Sequence, residues 1–202
     1  MHFQILAIIV LLTFYGFYFG KMLLQKKKGI QTDHLGKGKK GIQKGIEISV
    51  KIVSIIVPFL EAISIILNLS TLQSEIRYIG IIIAIIGTVI FAISIFTMRD
   101  SWRAGVSRDE KTRLITSGIY QLSRNPAFLG FDLVYIGISL TFFNPVLLLL
   151  SLLCVLLFHL QIVLVEEKFL IQVFGNEYLN YQNTVNRYLG RKLQRKNKFY
   201  IF

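Results

Sequence analysis

Five apolar runs alternate with short polar stretches along the chain. They cover residues 3–24, 46–69, 76–98 and 127–143, and a last run follows Asn144-Pro145 to about residue 165. A helix needs about 20 apolar residues to cross roughly 30 Å of hydrocarbon. The pattern therefore predicts five membrane helices. The second run is the least pure, carrying Glu47, Lys51, Pro58 and Glu61. Between the runs lie a glycine- and lysine-rich loop at 25–45, the turn "STLQSE", a charged connector at 99–125 and a tight "NP" turn. A polar, aromatic-bearing segment closes the chain.

Composition agrees with this reading. The 202 residues are 53% hydrophobic and 17% charged, with a mean hydropathy of +0.58. A soluble domain usually carries about a quarter charged residues. The first run is long for a signal peptide, has no basic stretch before it, and is followed by Lys26, Lys27 and Lys28; it reads as a retained helix. Cys154 is the sole cysteine and lies in an apolar run, so no intramolecular disulfide and no cysteine-based metal site is expected.

The net charge of +12 would suit a nucleic-acid binder, but its distribution argues otherwise. With an outside N-terminus, five crossings place all of the 23 basic residues except Lys51 and Arg77 on one side. That side is then cytoplasmic, and the excess charge faces anionic lipid headgroups. No polar block is long enough to fold separately. The expectation is an all-α polytopic membrane protein, one domain over 1–202, with N-terminal helices in 1–98 and a hairpin and closing segment in 114–190.

The last hairpin carries the chemistry. Counted from the turn at Asn144-Pro145, Arg124 and the pair Glu166–Glu167 lie at the same height, about 30 Å away. Asp132 and His159 match in the same way nearer the turn. These groups can be interfacial markers or a self-satisfied pair, but ionisable side chains in a span are costly, ~2.5–3.5 kcal/mol for Asp near the centre, and point to function. Glu47 and Lys51 are spaced for an i, i+4 pair; Glu61 has no assigned partner. Pro126 suits a first helical turn, Asn125 can cap it, and the N–H groups that follow favour an anion. Gly118 in "TSGIY" lets backbone approach a ligand closely.

The segments "LITSGIYQLSRNPAFLG" (114–130) and "VEEKFLIQVFGNEYLNYQNTVNRYLG" (165–190) resemble the signature of the isoprenylcysteine carboxyl methyltransferase and phospholipid methyltransferase superfamily. The matching residues are Thr116, Gly118, Tyr120, Arg124, Pro126, Gly130, Glu166, Glu167, Phe174, Gly175, Tyr178, Tyr181, Val185 and Arg187. The resemblance implies a membrane methyltransferase using S-adenosylmethionine on the cytoplasmic side, its lipophilic or lipidated acceptor arriving from the bilayer. It implies a cofactor site lined by Thr116, Gly118, Ile119, Tyr120, Arg124, Asn125, Pro126, Phe128, Glu166 and Glu167, closed by Tyr178 and Tyr181. Arg124 and Glu167 are the candidates for catalysis. Trp102, Arg103, Asp132 and His159 are candidates for the acceptor.

Two positions depart from the family pattern. Asn125 replaces the usual histidine, and Phe128 the usual tyrosine, so no general base is assigned there. Methyl transfer from a sulfonium needs positioning and dryness more than acid–base chemistry. Carboxylates complement the cationic donor, and Arg124 can hold a carboxylate bidentately. A sterol-type NADPH reductase shares part of the hairpin pattern, but a cofactor phosphate beside Glu166 and Glu167 would be repelled. A non-catalytic membrane scaffold is the third reading. The acceptor is open among carboxylate, amine, thiol and quinone precursor.

Overall fold

The computed structural model describes residues 1–105 and 113–192. Among them the chain is helical: α1 (His2–Lys27), α2 (Gly41–Ile66), α3 (Ser74–Met98), α4 (Pro126–Thr141), α5 (Pro145–Gln161), α6 (Glu167–Phe174) and α7 (Asn176–Thr184). Short 3₁₀ turns occupy Arg99–Ser101 and Gly118–Gln121, and two isolated bridges join Asp33 to Ala104 and Val185 to Arg191.

Four helical stretches are long and apolar enough to cross a membrane: His2–Lys27, Gly41–Ile66, Ser74–Ser101 and Pro145–Phe174. The fourth apolar run forms α4, with only 16 residues, about 24 Å of helix. Pro126 starts it, and its partner starts again at Pro145, where the Asn144 side chain accepts from the Val146 N–H at 2.9 Å. The last run does not stop near residue 165. It continues through a π-helical turn, Ile162–Glu166, into α6, and bends only at Gly175, whose φ of +52° is costly for any residue with a Cβ.

α3 and α4 form the tightest antiparallel pair because glycine faces glycine. A Cβ on Gly80 would sit 2.5 Å from the Gly137 carbonyl oxygen, and one on Gly87 would sit 2.7 Å from that of Gly130. Both pairs are spaced by seven residues, so the two backbones meet along two turns, the close approach small residues permit between membrane helices. Phe14, Phe91 and Phe131 fill the adjoining core, with ring centroids 4.8–5.1 Å apart.

The two ends of the bundle differ. At one end Arg77 donates to the Thr141 carbonyl and to Asn68, and lies over the Phe3 ring at 4.2 Å. At the other end the 29–40 loop is tied down. Glu47, fully buried, accepts from Lys39, from the Gly36 N–H at 2.7 Å and from Gln161 at 3.0 Å. Lys51 bonds Asp33 at 2.8 Å. The i, i+4 pairing of Glu47 with Lys51 is therefore replaced by two contacts to the loop, which brings acid and base to side chains that solvent would otherwise hold.

Candidate functional site

At the end with the loops, three pieces of chain converge. The 102–105 strap lies beside the loop, the His34 N–H donating to the Ala104 carbonyl at 2.9 Å and the Ala104 N–H to the Thr32 carbonyl at 2.8 Å. α4 arrives behind them, and the α6–α7 segment folds over the top. They enclose a cavity of about 960 Å³, its open mouth included, with Trp102, Arg103, Arg124, Asn125, Phe128 and Glu166 among its walls. Tyr120, Tyr178 and Tyr181 complete the wall on the covering side.

The covering segment is held by ions. Arg124 Nη1 and Glu167 Oε1 are 2.8 Å apart, their side chains 6% and 9% exposed. The same carboxylate receives both Arg187 Nε and Nη2 at 2.9 Å. Arg124 also donates to the Val185 carbonyl at 3.1 Å and to the Tyr178 hydroxyl at 3.1 Å. One carboxylate thus gathers the approach to α4, the start of α6 and the chain after α7. The neighbouring Glu167 carboxylate in turn props up the Arg187 guanidinium, whose pKa lies above its ordinary value.

The two adjacent glutamates separate at the π-helical turn. Glu167 is occupied by the arginines and does not line the cavity, while Glu166 does. π-turns in helices occur often at functional sites; here one extra residue in the turn re-aims the pair.

Other candidates fall into distinct places. Asn125 does not cap α4 with its side chain. Its Nδ2 donates to the Arg187 carbonyl at 3.1 Å, and the Ser123 hydroxyl accepts from the Asn125 N–H. Pro126 is buried at the first turn of α4. Gly118 borders an outer cleft, Thr116 a shallow one beside α7, and Ile119 packs under the tyrosines. His159 Nδ1 meets the Tyr188 hydroxyl at 2.7 Å rather than Asp132, whose Oδ1 is buried without a hydrogen-bond partner. Burial first, and the Asp132 charge second, push the Tyr188 hydroxyl up. Neither Asp132 nor His159 lines this cavity.

His34 and Arg187 matter more than the sequence suggested. His34 belongs to a loop without periodicity, and only its buried position, 6% exposed, brings it to the wall. Arg187 was visible in the motif, but its partner was not.

Tyr181 anchors the cover. Its hydroxyl donates to the Tyr120 carbonyl at 2.6 Å, and burial pushes its pKa well above the ordinary range. Tyr181→Phe is expected to cost about 1–2 kcal/mol, read as faster proteolysis after α6. The folded pKa is the raised one, so this contribution is complete below about pH 10 and fades as pH climbs further. An alkaline loosening in wild type that Tyr181→Phe lacks would carry that signature.

A second, apolar cavity lies on the membrane side, between α1, α2, α4 and α5. It contains Tyr15, Ser54, Phe131, Tyr135 and Phe158, and reaches the lipid-facing surface between Phe19 and Ile55, which are 56% and 66% exposed. Trp102, Arg103, Gly105, Ala127 and Phe128 line both cavities. The two chambers therefore share a wall.

The family model described as phospholipid methyltransferase matches residues 76–177, half of the chain. The chain belongs to that family. It is 32% identical over 109 residues to the protein-S-isoprenylcysteine O-methyltransferase of Saccharomyces cerevisiae, covering 53% of this chain and 46% of that protein. It is 33% identical over 108 residues to protein-S-isoprenylcysteine O-methyltransferase A of Arabidopsis thaliana, covering 52% and 55%. A probable protein-S-isoprenylcysteine O-methyltransferase of Oryza sativa subsp. indica is 31% identical over 113 residues, covering 55% and 59%. The chain spans about half the length of the curated relatives it matches.

Proposed function

We propose that the protein transfers a methyl group from S-adenosylmethionine to a lipophilic or lipid-linked acceptor at the cytoplasmic membrane face. The shared wall carries this reading: a chamber that sets the charged groups Arg124 and Glu166 in mainly apolar walls meets a second, more apolar chamber at Phe128, Ala127 and the Trp102–Gly105 strap. A water-soluble donor and a lipid acceptor need that arrangement. The reading is supported by the relatives' name, protein-S-isoprenylcysteine O-methyltransferase, which is that of a methyltransferase acting on a lipid-linked cysteine. α4 would add a fifth crossing to the four long apolar stretches, paired with α5 in the hairpin, and the basic end of the bundle would face the cytoplasm.

The residues of the Arg124–Glu166 chamber fit such a donor. Glu166 offers a carboxylate to a cation, Tyr120 and Tyr178 offer ring faces, and Arg124 presents a guanidinium suited to a carboxylate. When bound, S-adenosylmethionine supplies an electrophilic methyl on a sulfonium, and the chemistry is an in-line displacement. What the chain adds is position and exclusion of water. Glu167, itself held by Arg187, fixes Arg124; Tyr181 and Tyr178 keep the α6–α7 cover closed; Phe128 and Trp102 put apolar surface on the wall the two chambers share.

The reaction is tested by incubating protein in vesicles with methyl-labelled S-adenosylmethionine and farnesylated cysteine, phosphatidylethanolamine or a long-chain carboxylate. Label entering the organic phase with one acceptor, and lost in Phe128→Glu, is the expected outcome. Label entering none of them while the donor binds would contradict the proposal.

A further inference from the structure

One group on α2 has no part in the site described above. Glu61 is fully buried, 0% exposed, and neither of its carboxyl oxygens has a hydrogen-bond partner. The hydroxyls of Tyr15 on α1 and Tyr135 on α4 are also buried, with no partner other than each other. Glu61 lies within electrostatic reach of both hydroxyls. An unpaired buried carboxylate is costly, and so is an unpaired hydroxyl. A carboxyl without any partner, beside two buried hydroxyls from two other helices, is hard to explain as packing.

Their position gives them a use. Tyr15, Tyr135 and Ser54 line the apolar cavity. Glu61 does not itself line the cavity; seven residues beyond Ser54 on α2, it lies on the same face two turns past the cavity's inner end. Along α4, Phe128 of the shared wall precedes Tyr135 by seven residues, a rise of about 10 Å. A chain whose reacting end lies at the wall would therefore bring its atoms about 10 Å along to the three polar groups.

We infer that the inner end of the apolar cavity is a recognition site for a hydroxyl carried part-way along the acceptor's hydrocarbon chain. An alcohol complements these groups: its O–H donates to the Glu61 carboxyl, and its oxygen accepts from the tyrosine hydroxyl whose proton the other tyrosine does not take. Plain hydrocarbon leaves the Glu61 carboxyl unpaired. A site built to hydrogen-bond a hydroxyl discriminates against the analogue lacking it for that reason. The inference rests on the proposed function for what the bound lipid is used for, and not for its binding.

The test is a matched pair of ligands, decanoate and 10-hydroxydecanoate, titrated against the detergent-solubilised full chain with no methyl donor present. Trp102 is the sole tryptophan and lines both cavities, so its fluorescence reports occupancy. After correction for each ligand's partition into detergent, wild type is expected to prefer the hydroxy acid roughly tenfold. Tyr135→Phe and Glu61→Leu are expected to bring the ratio to about one. Tyr135→Phe removes one oxygen and keeps the ring, so it decides the matter if Glu61→Leu does not fold. No preference in wild type, or a preference that survives in the variants, overturns the inference. Since no donor is present, failure to bind S-adenosylmethionine would leave this result unaffected.

Discussion

Glu167→Ala is expected to abolish S-adenosylmethionine binding and to lower the melting temperature of the purified protein. The carboxylate neutralises Arg124 and Arg187 together. Removing it leaves two guanidinium groups facing each other, one of them 6% exposed, and breaking a buried pair in this way costs about 3–5 kcal/mol. The cover formed by α6 and α7 would open before the bundle does, because the bundle contacts do not pass through Glu167. Arg124→Ala is expected to have a similar effect on binding, since Arg124 both holds the cover and borders the cavity. Arg187→Ala should be milder: Arg187 is 33% exposed and the Arg124–Glu167 contact survives it. Binding measured at 25 °C alongside a melt separates the two effects. If Glu167→Ala binds as tightly as wild type, the ion cluster is not what closes the site.

Gly137→Val is expected to be the most damaging single change in the bundle. The new Cβ would lie 2.5 Å from the Gly80 carbonyl oxygen and 2.6 Å from the Ala84 nitrogen. Both are backbone atoms, so no rotamer change relieves the clash, and α3 and α4 must move apart. Overpacking usually costs about 1–3 kcal/mol, and a backbone-to-backbone case belongs at or above the top of that range. Gly16→Val, where nothing lies within 4 Å, is the control. Detergent melting of both variants checks the claim, and equal melting temperatures would show that the helix pair is looser than the structure has it.

The parts of the molecule that a single sequence reveals are those with one physical solution. Hydrocarbon thickness leaves little choice for the long runs, and hairpin geometry leaves little for Arg124 opposite Glu167, which do meet. Charge pairing in the loops is different. Lys51 could reach Glu47 along its own helix, but the fold brings Asp33 to it and Lys39 to Glu47. Asn125 had a capping role open to it, but the Arg187 carbonyl took the side chain. Height along two helices matched Asp132 with His159, but the closing segment inserted Tyr188. Each miss involves a loop or terminal segment whose path no local pattern encodes. Glu166 and Glu167 fall on either side of the junction between a π-helical turn and α6, and such a turn leaves no mark in hydrophobic periodicity.

S-adenosylmethionine is expected to bind in the chamber walled by Arg124, Asn125 and Glu166. The most direct measurement is equilibrium binding of the labelled molecule to the purified full chain, with NADPH and S-adenosylhomocysteine as competitors. Saturable binding displaced by S-adenosylhomocysteine and not by NADPH is the result this account predicts. Folded protein that binds no S-adenosylmethionine, or binds NADPH in its place, would contradict it.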